Sequence, residues 1–350
     1  MKIFVTGGAG FIGSNFIRYV LQAKNSHAIV NYDKLTYAGN LTNLHSIAHH
    51  PGYQFVKGDI CDPITAEAAM RGCDALIHFA AESHVDRSIY EPAPVIQTNV
   101  TGTFTLLEVA RRLAVSRFVH ISTDEVYGDV APGSHASEDS PLQPSSPYSA
   151  SKAAADLLVC SYVRTYKFPA LITRSSNNYG PYQFPEKFLP LMITNALFDK
   201  PLPIYGDGKQ QREWLHVEDN CRAILTVLER GRIGEVYNIG GSHVEENLAM
   251  AQRLLRLTGK AESLLRNVAD RPGHDRRYAL NSRKIESELG WKPEISLEDG
   301  IRQTIEWYKA NSKWVSDVRA GEYLSYYEKY YNDRDNSLKA IADSGSKLPA

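Results

Sequence analysis

The segment Lys2-Ile3-Phe4-Val5-Thr6-Gly7-Gly8-Ala9-Gly10-Phe11-Ile12-Gly13-Ser14 constrains this chain more than any other stretch of it. Gly8, Gly10 and Gly13 satisfy G-x-G-x-x-G, while Gly7, Gly10 and Gly13 satisfy G-x-x-G-x-x-G. A short apolar run precedes the glycines and an amphipathic pattern follows from about Ile12, which puts them at a strand-to-helix turn. Glycines there permit a tight turn and close approach of backbone to a pyrophosphate, and Gly13 lets the helix pack on the strand. The helix N-terminus then stabilises the phosphate charge. An acid, Asp33, stands 33 − 13 = 20 residues beyond Gly13, at the end of the second strand. A carboxylate in that place accepts both ribose hydroxyls and repels a 2′-phosphate, so the expected dinucleotide is NAD rather than NADP. Lys34 tempers that preference without reversing it.

The next 150 residues repeat the unit. Apolar runs at Ala28-Val30, Tyr53-Val56, Ala75-Phe79, Arg117-Ile121 and Ala170-Ile172 alternate with helical patterns around Ala66-Met70, Thr103-Arg112 and Tyr148-Tyr166. Such alternation predicts parallel βαβ units in an α/β fold, a doubly wound sheet of the Rossmann type. In these sheets ligands bind beyond the carboxyl ends of the strands. Past Asn177 prolines interrupt the pattern, with helices expected near Val217-Glu229 and Glu245-Leu257. The expected organisation is a dinucleotide domain over 1–178, a smaller mixed α/β substrate lobe over 179–331 and a polar tail over 332–350. Val236-Ile239 is the segment that can return to the main sheet.

Charge narrows the function classes. Lys plus Arg number 39 against 40 Asp plus Glu, a net charge of −1. Duplex nucleic-acid binding and a polybasic membrane surface are therefore not expected. No apolar run reaches the ~18 residues of a membrane span, and the start reaches Gly7 too early for a signal peptide. Cys61, Cys73, Cys160 and Cys221 lie far apart, without a C-x-x-C. His45-x-x-x-His49 lacks a third ligand, so no metal is expected. A cytoplasmic protein acting on a small molecule remains.

Tyr-x-x-x-Lys occurs at Tyr53, Tyr148 and Tyr205. The first lies on a strand, where i and i+4 are about 13 Å apart, and the third crosses the turn Gly206-Asp207-Gly208. Tyr148 alone opens a helix, so Tyr148 and Lys152 share a helix face. An adjacent cation is expected to lower the phenol's pKa from about 10, as deprotonation of an alcohol during hydride transfer requires. Just upstream, at the end of the fifth strand, stands Ser122-Thr123-Asp124-Glu125. Adjacent acids split in pKa supply the acid and the base that elimination of water needs. As a generic loop the same pair reads as a solvated cap.

With these features in place the chain resembles the extended short-chain dehydrogenase/reductases. Phe79-Ala-Ala-Glu-Ser-His-Val-Asp-Arg-Ser88, Ser122-Thr-Asp-Glu-Val-Tyr-Gly128, Ser176-Asn-Asn-Tyr-Gly-Pro-Tyr182 and Arg271-Pro-Gly-His-Asp275 narrow the likeness to the dTDP-glucose 4,6-dehydratase family, over residues 1 to 331. One departure, a shorter link between Arg112 and Arg117, touches none of these motifs. The resemblance implies tightly bound NAD that starts and ends oxidised. Tyr148, helped by Thr123, takes the C4 hydroxyl proton; Glu125 then removes the C5 proton while Asp124 protonates the departing C6 hydroxyl. The product is the 4-keto-6-deoxy sugar nucleotide.

The resemblance also implies NAD contacts at Gly7, Gly10, Phe11, Ile12 and Gly13, then at Asp33, Lys34, Leu35 and Thr36. Further ones follow at Asp59, Ile60, Phe79, Ala80, Ala81, Ser83, Thr98, Tyr148, Lys152 and Asn178. Asp59 reads equally as a turn aspartate. Sugar-nucleotide contacts are implied at Ser83, Thr123, Asn177, Lys187 and Phe188, and at Pro203, Ile204 and Tyr205. The remaining ones are Arg212, Asn247, Asp270, Arg271, His274 and Tyr331. Lys187, Arg212 and Arg271 suit a diphosphate, although any lone cation also reads as a solvated surface charge, and Tyr205 reads equally as a base-stacking or a core residue. Phe104-Ala110 and Ala153-Cys160 are apolar over more than one helix face, which in this family implies a homodimer. The nearest rival is a nucleotide-sugar 4-epimerase or decarboxylase, which needs no Asp-Glu pair; a non-catalytic NAD-binding regulator is a second. The base, thymidine or another, rests on the resemblance alone.

Overall fold

The computed structural model describes residues 1–23 and 27–320; the expected tail and Tyr331 lie outside them. Seven parallel strands form the main sheet: β1 (Lys2–Thr6), β2 (Ala28–Asp33), β3 (Tyr53–Lys57), β4 (Ala75–His78), β5 (Arg117–Thr123), β6 (Ala170–Ser175) and β10 (Val236–Ile239). Their order is β10-β6-β5-β4-β1-β2-β3, the doubly wound arrangement, with its reversal of direction at β1 and β4. All but the edge strand β3 are buried on both faces, as their apolar runs require. Ile3 and Val5 of β1 face one core with Val119 and Ile121, whereas Phe4 faces the other with Leu76 and Phe118.

The helices cover these two faces. α1 (Phe11–Gln22) and the later α8 (Val217–Arg230) pack on the first. On the second lie α2 (Pro63–Met70), α5 (Thr103–Arg112) and α6 (Pro147–Tyr166). The start of α6 is written in its sequence: Ser146 and Ser149 form a reciprocal capping box and Pro147 occupies the first helical position. The approach to α5 is less regular than its pattern suggested. α3 (Val85–Tyr90) and α4 (Pro92–Ile96) lead into a π-helical turn at Gln97–Gly102.

The second half adds two small sheets. β7 (Asn177–Tyr179) pairs parallel with β9 (Gln211–His216), which pairs antiparallel with β11 (Val244–Glu246); β8 (Leu202–Tyr205) pairs parallel with β12 (Leu265–Val268). They share a core with α7 (Phe188–Leu197), α9 (Asn247–Thr258) and α11 (Leu297–Ala310), while α10 (Arg283–Leu289) lies beside β10 and α12 (Ser312–Arg319) follows α11. Pro190 does not break α7 because it sits in the first turn, where its missing N–H has no partner to lose.

Candidate active site

A cavity of about 540 Å³ runs along the carboxyl ends of the central strands, and a second of about 150 Å³ lies between them and the second half of the chain. Glu125, Asn177, Glu186 and Lys187 line both, so the two form one cleft.

The larger cavity starts at the glycine loop. Gly7 takes φ +70° and a Cβ on it would come within 2.5 Å of the Ala80 amide nitrogen; a Cβ on Gly13 would come within 2.3 Å of the Gly7 carbonyl. Glycine thus brings β1, α1 and the turn after β4 together. Gly10 caps α1 without any side-chain hydrogen bond, which leaves a helix N-terminus facing the cavity with its own amides and dipole. Asp33 accepts the Ala9 amide at 2.9 Å and the Leu35 amide at 2.8 Å, while burial raises its pKa. Lys34 pairs with Asp59 at 2.7 Å; burial raises the Asp59 pKa, and Lys34 and Cys61 together bring it below its ordinary value.

Of the residues expected at a dinucleotide, Gly7, Gly10, Phe11, Ile12 and Gly13 line this cavity, as do Asp33, Lys34, Thr36, Asp59 and Ile60. Phe79, Ala80, Ala81, Ser83, Thr98 and Asn178 line it as well, together with Tyr148 and Lys152. Leu35 does not; at φ +58° it contributes its amide to Asp33. The cavity suits a dinucleotide: it is the larger of the two, the glycine loop beside it packs too closely on backbone to take a Cβ at Gly7 or Gly13, and Asn177 Oδ1 and Asn178 Oδ1 are buried on its wall without a hydrogen bond.

The reacting groups converge at the end of β5. Thr123 donates to Asp124 Oδ1 at 3.1 Å and accepts the Glu125 amide at 3.3 Å. Asp124 is 3% exposed; burial, then Glu125 and Glu213, raise its pKa well above the carboxylate range. Burial also raises Glu125, but Arg271, Lys187 and Arg212 pull it back. Both acids are thus shifted upward, Asp124 the more strongly, while the three cations favour the carboxylate of Glu125. Lys152 reaches the Ile121 carbonyl at 2.6 Å, and burial lowers its pKa to about 8. For Tyr148 the expected direction is reversed: its pKa is raised, first by burial and then by Glu125 and Asp124, with Thr123 opposing. Helix spacing aligned phenol and ammonium correctly, but could not show that the ammonium is spent on a carbonyl or that two carboxyls flank the phenol.

In the smaller cavity stand Asn177, Lys187, Phe188, Pro203, Tyr205, Arg212, Asn247, Arg271 and His274 from the expected set. Burial lowers the Lys187 pKa, and its ammonium donates to the Ser83 carbonyl. Arg212 sits 4.2 Å from the Tyr278 ring centroid and donates to the Asp275 carbonyl at 3.0 Å. Ser83 and Thr123 line the larger cavity instead, and two expected residues line neither. Ile204 alternates to the opposite face of β8, into the core, and Asp270 stands behind His274, whose Nδ1 lies 2.6 Å from it.

Others were missed. Asp86 takes Arg271 at 3.1 Å on one oxygen and the Tyr205 hydroxyl at 2.8 Å on the other, joining α3 to the second half of the chain. Glu186, almost fully buried, pairs with Arg87 at 3.0 Å beside His84. Their only signal was position: His84, Asp86 and Arg87 lie inside the Phe79–Ser88 motif, and Glu186 precedes Lys187.

A family model described as GDP-mannose 4,6 dehydratase matches residues 4–304. A dTDP-glucose 4,6-dehydratase of Shigella flexneri is 49% identical over 361 residues, covering 95% of this chain and all of that protein. That of Streptomyces niveus is 49% identical over 324 residues, covering 91% of this chain and 96% of its own length. This chain belongs to the dTDP-glucose 4,6-dehydratase family. Among solved members, the dTDP-glucose 4,6-dehydratase DesIV of Streptomyces venezuelae, determined with NAD and dTDP bound, superposes with TM-score 0.89 at 49% identity, covering 91% of this chain and 100% of that one. The UDP-glucose 4-epimerase of Thermotoga maritima reaches TM-score 0.83 at 29% identity, over 89% of this chain and 100% of that one. A 4,6-dehydratase and an epimerase thus share this scaffold, and the separation lies in the site.

Proposed function

We infer that this chain catalyses the NAD-dependent 4,6-dehydration of dTDP-glucose to dTDP-4-keto-6-deoxyglucose, as a hydro-lyase. The observation that carries this reading is the Asp124–Glu125 pair, set between the two cavities, with one carboxyl strongly shifted toward its protonated form. Epimerisation at C4 eliminates no water and needs no such pair.

In this reading the larger cavity holds NAD, its pyrophosphate at the glycine loop and its adenosine ribose at Asp33. Bound there, NAD would supply the acceptor for the C4 hydride and its later donor to C6, a step that also requires a proton to return to C5. Tyr148 takes the C4 hydroxyl proton, with Thr123 hydrogen-bonding the same oxygen. Burial and the neighbouring carboxyls hold the phenol protonated, and the Thr123 hydroxyl is the group that opposes them. Once C4 is a ketone, the C5 proton is acidic and Glu125 removes it. Asp124, whose pKa burial raises well above its ordinary value, donates a proton to the departing C6 hydroxyl. Lys187, Arg212 and Arg271 face the diphosphate, and Pro203, Tyr205, Asn247 and His274 face the nucleoside.

A homodimer completes the proposal. Phe104 on α5 and Leu157 and Tyr166 on α6 are large apolar side chains left 47%, 61% and 52% exposed, a patch that a second copy would cover. Light scattering at micromolar concentration is expected to give twice the 39.1 kDa chain mass, and a monomer refutes it. No described helix is long and apolar enough to cross a membrane, and the reading includes a cytoplasmic location. The deciding assay incubates the purified enzyme with dTDP-, UDP-, CDP- and GDP-hexoses and follows the ketosugar chromophore formed in alkali. Product from dTDP-glucose is expected; turnover of another sugar nucleotide instead overturns the substrate assignment.

A further inference from the structure

Behind the reacting groups lies a layer of buried charge that no bound ligand would reach. α6 presents Tyr148, Lys152 and Asp156 at i, i+4 and i+8, so the three share a face, and all are buried. Asp156 Oδ2 accepts Arg174 Nε at 2.8 Å; Arg174 donates also to the Tyr127 hydroxyl at 2.8 Å and to the Glu138 carbonyl at 3.4 Å. Asp156 Oδ1 makes no hydrogen bond and lies 3.5 Å from His120 Nε2.

The titratable groups around Lys152 and Asp156 are Tyr148 and Cys160 on α6, His78 on β4, His120 on β5 and Arg174 on β6. Burial keeps both imidazoles neutral: His78 falls to about 3, and His120 falls well below its ordinary value. Phenol and thiol are raised. Asp156 is the one carboxyl among these groups; burial raises its pKa, and Arg174 first and then Lys152 oppose that rise by favouring the carboxylate. The Lys152 ammonium otherwise has one neutral acceptor, the Ile121 carbonyl. An isolated ammonium does not stay charged in so dry a place.

We propose that Asp156 is a positioning residue for the reaction: its carboxylate, anchored by Arg174, is the counter-charge that keeps Lys152 an ammonium beside Tyr148. Pairing with Arg174 alone would place no demand on Asp156 to share the Tyr148–Lys152 face. Asp156 instead stands between two cations, so that a row of alternating charge runs from β6 to the reacting phenol. The inference rests on the reading of Lys152 given above.

The test is the pH dependence of kcat for the holoenzyme with dTDP-glucose, between pH 6 and 9.5. Asp156 lies one helical turn from Lys152, and removing an opposite charge within roughly 4–6 Å lowers an ammonium pKa by about 1–3 units. Asp156→Asn is therefore expected to move the alkaline limb down by at least about one unit. With a limb that starts near 8, a one-unit drop makes the rate at pH 8 fall about fourfold further than at pH 6.5, while Asp156→Glu retains the wild-type limb. Asp156→Asn combined with Arg174→Gln removes both members of the buried pair without stranding the guanidinium; it is expected to show the same shift and answers the question if the single variant does not fold. A limb that stays in place while the whole profile drops, in whichever variant folds, overturns the proposal. Absence of turnover in the wild type would instead defeat the functional reading, and the two failures are thereby distinguishable.

Discussion

Gly7→Ala is the sharpest test of how the cofactor cleft is built. The alanine would have to adopt φ +70°, a left-handed conformation that costs an L-residue about 1–2 kcal/mol. Its Cβ would also sit 2.5 Å from the Ala80 nitrogen and 2.7 Å from the Ala80 Cα, both backbone atoms that cannot rotate away. Relief requires the turn after β4 to retreat by several tenths of an ångström, an overpacking cost of about 1–3 kcal/mol. The two sum to about 2–5 kcal/mol. Gly72 supplies the control: its φ is +72°, yet nothing lies within 4 Å of an added Cβ. Gly72→Ala pays only the conformational cost, and the difference between the two variants isolates the clash. Urea unfolding of both, monitored by circular dichroism, measures it. Because Phe79, Ala80 and Ala81 wall the cavity, Gly7→Ala is further expected to weaken NAD binding by about tenfold or more, measured by titration, while Gly72→Ala leaves it intact. Equal losses of stability and unchanged NAD affinity in both variants would refute the argument.

Three other outcomes follow from the site. Asp124→Asn is expected to lower the overall rate by about 10²–10⁴-fold while leaving C4 oxidation intact, so quenched reactions analysed by mass spectrometry should contain the 4-ketone that has kept its C6 hydroxyl; normal 6-deoxy product would remove Asp124 as the acid. Asp33→Asn forfeits a charged acceptor contributing about 1.5–3 kcal/mol, and a loss of NAD affinity by roughly 10–150-fold is expected in a titration; undiminished affinity would show that Asp33 serves only the Ala9 and Leu35 amides. His78 and His84 are held by burial at about 3 and about 4, below the ordinary 6.5. The unfolded chain therefore binds more protons between those values, so the stability they contribute is complete above pH 6.5 and is lost as pH falls through that window. Urea midpoints should drop steadily from pH 7 to pH 5, and a flat profile would contradict the assignment of neutral buried imidazoles.

What the chain disclosed in advance was whatever depends on local backbone geometry. The glycine turn, Asp33 at its carboxyl-terminal station and the opening of α6, expected at Tyr148 and found one residue earlier at Pro147, are each decided within a few residues. Strand alternation likewise anticipated the doubly wound sheet. What remained hidden depends on partners far away in sequence. Asp86 meets Arg271 across 185 positions, and Glu186 meets Arg87 across 99. The rise in the Tyr148 pKa belongs to the same class, since it comes from burial and from carboxyls on another element. α7 escaped notice because Pro190 was read as punctuation rather than as a first-turn residue.

The outer position of β10 has a consequence for how the molecule is made. β6 has no neighbour on that side until Val236–Ile239 arrives, and the face that holds α1 is not covered until α8 follows β9. A ribosome that has released residues 1–178 has therefore produced a sheet with an open parallel edge and bare apolar surface beneath it. Late closure of this kind delays the stable unit until more than two thirds of the polypeptide is synthesised and exposes the nascent protein to aggregation for that interval. The strand that completes the sheet therefore also sets when during translation the enzyme becomes safe from its own edges.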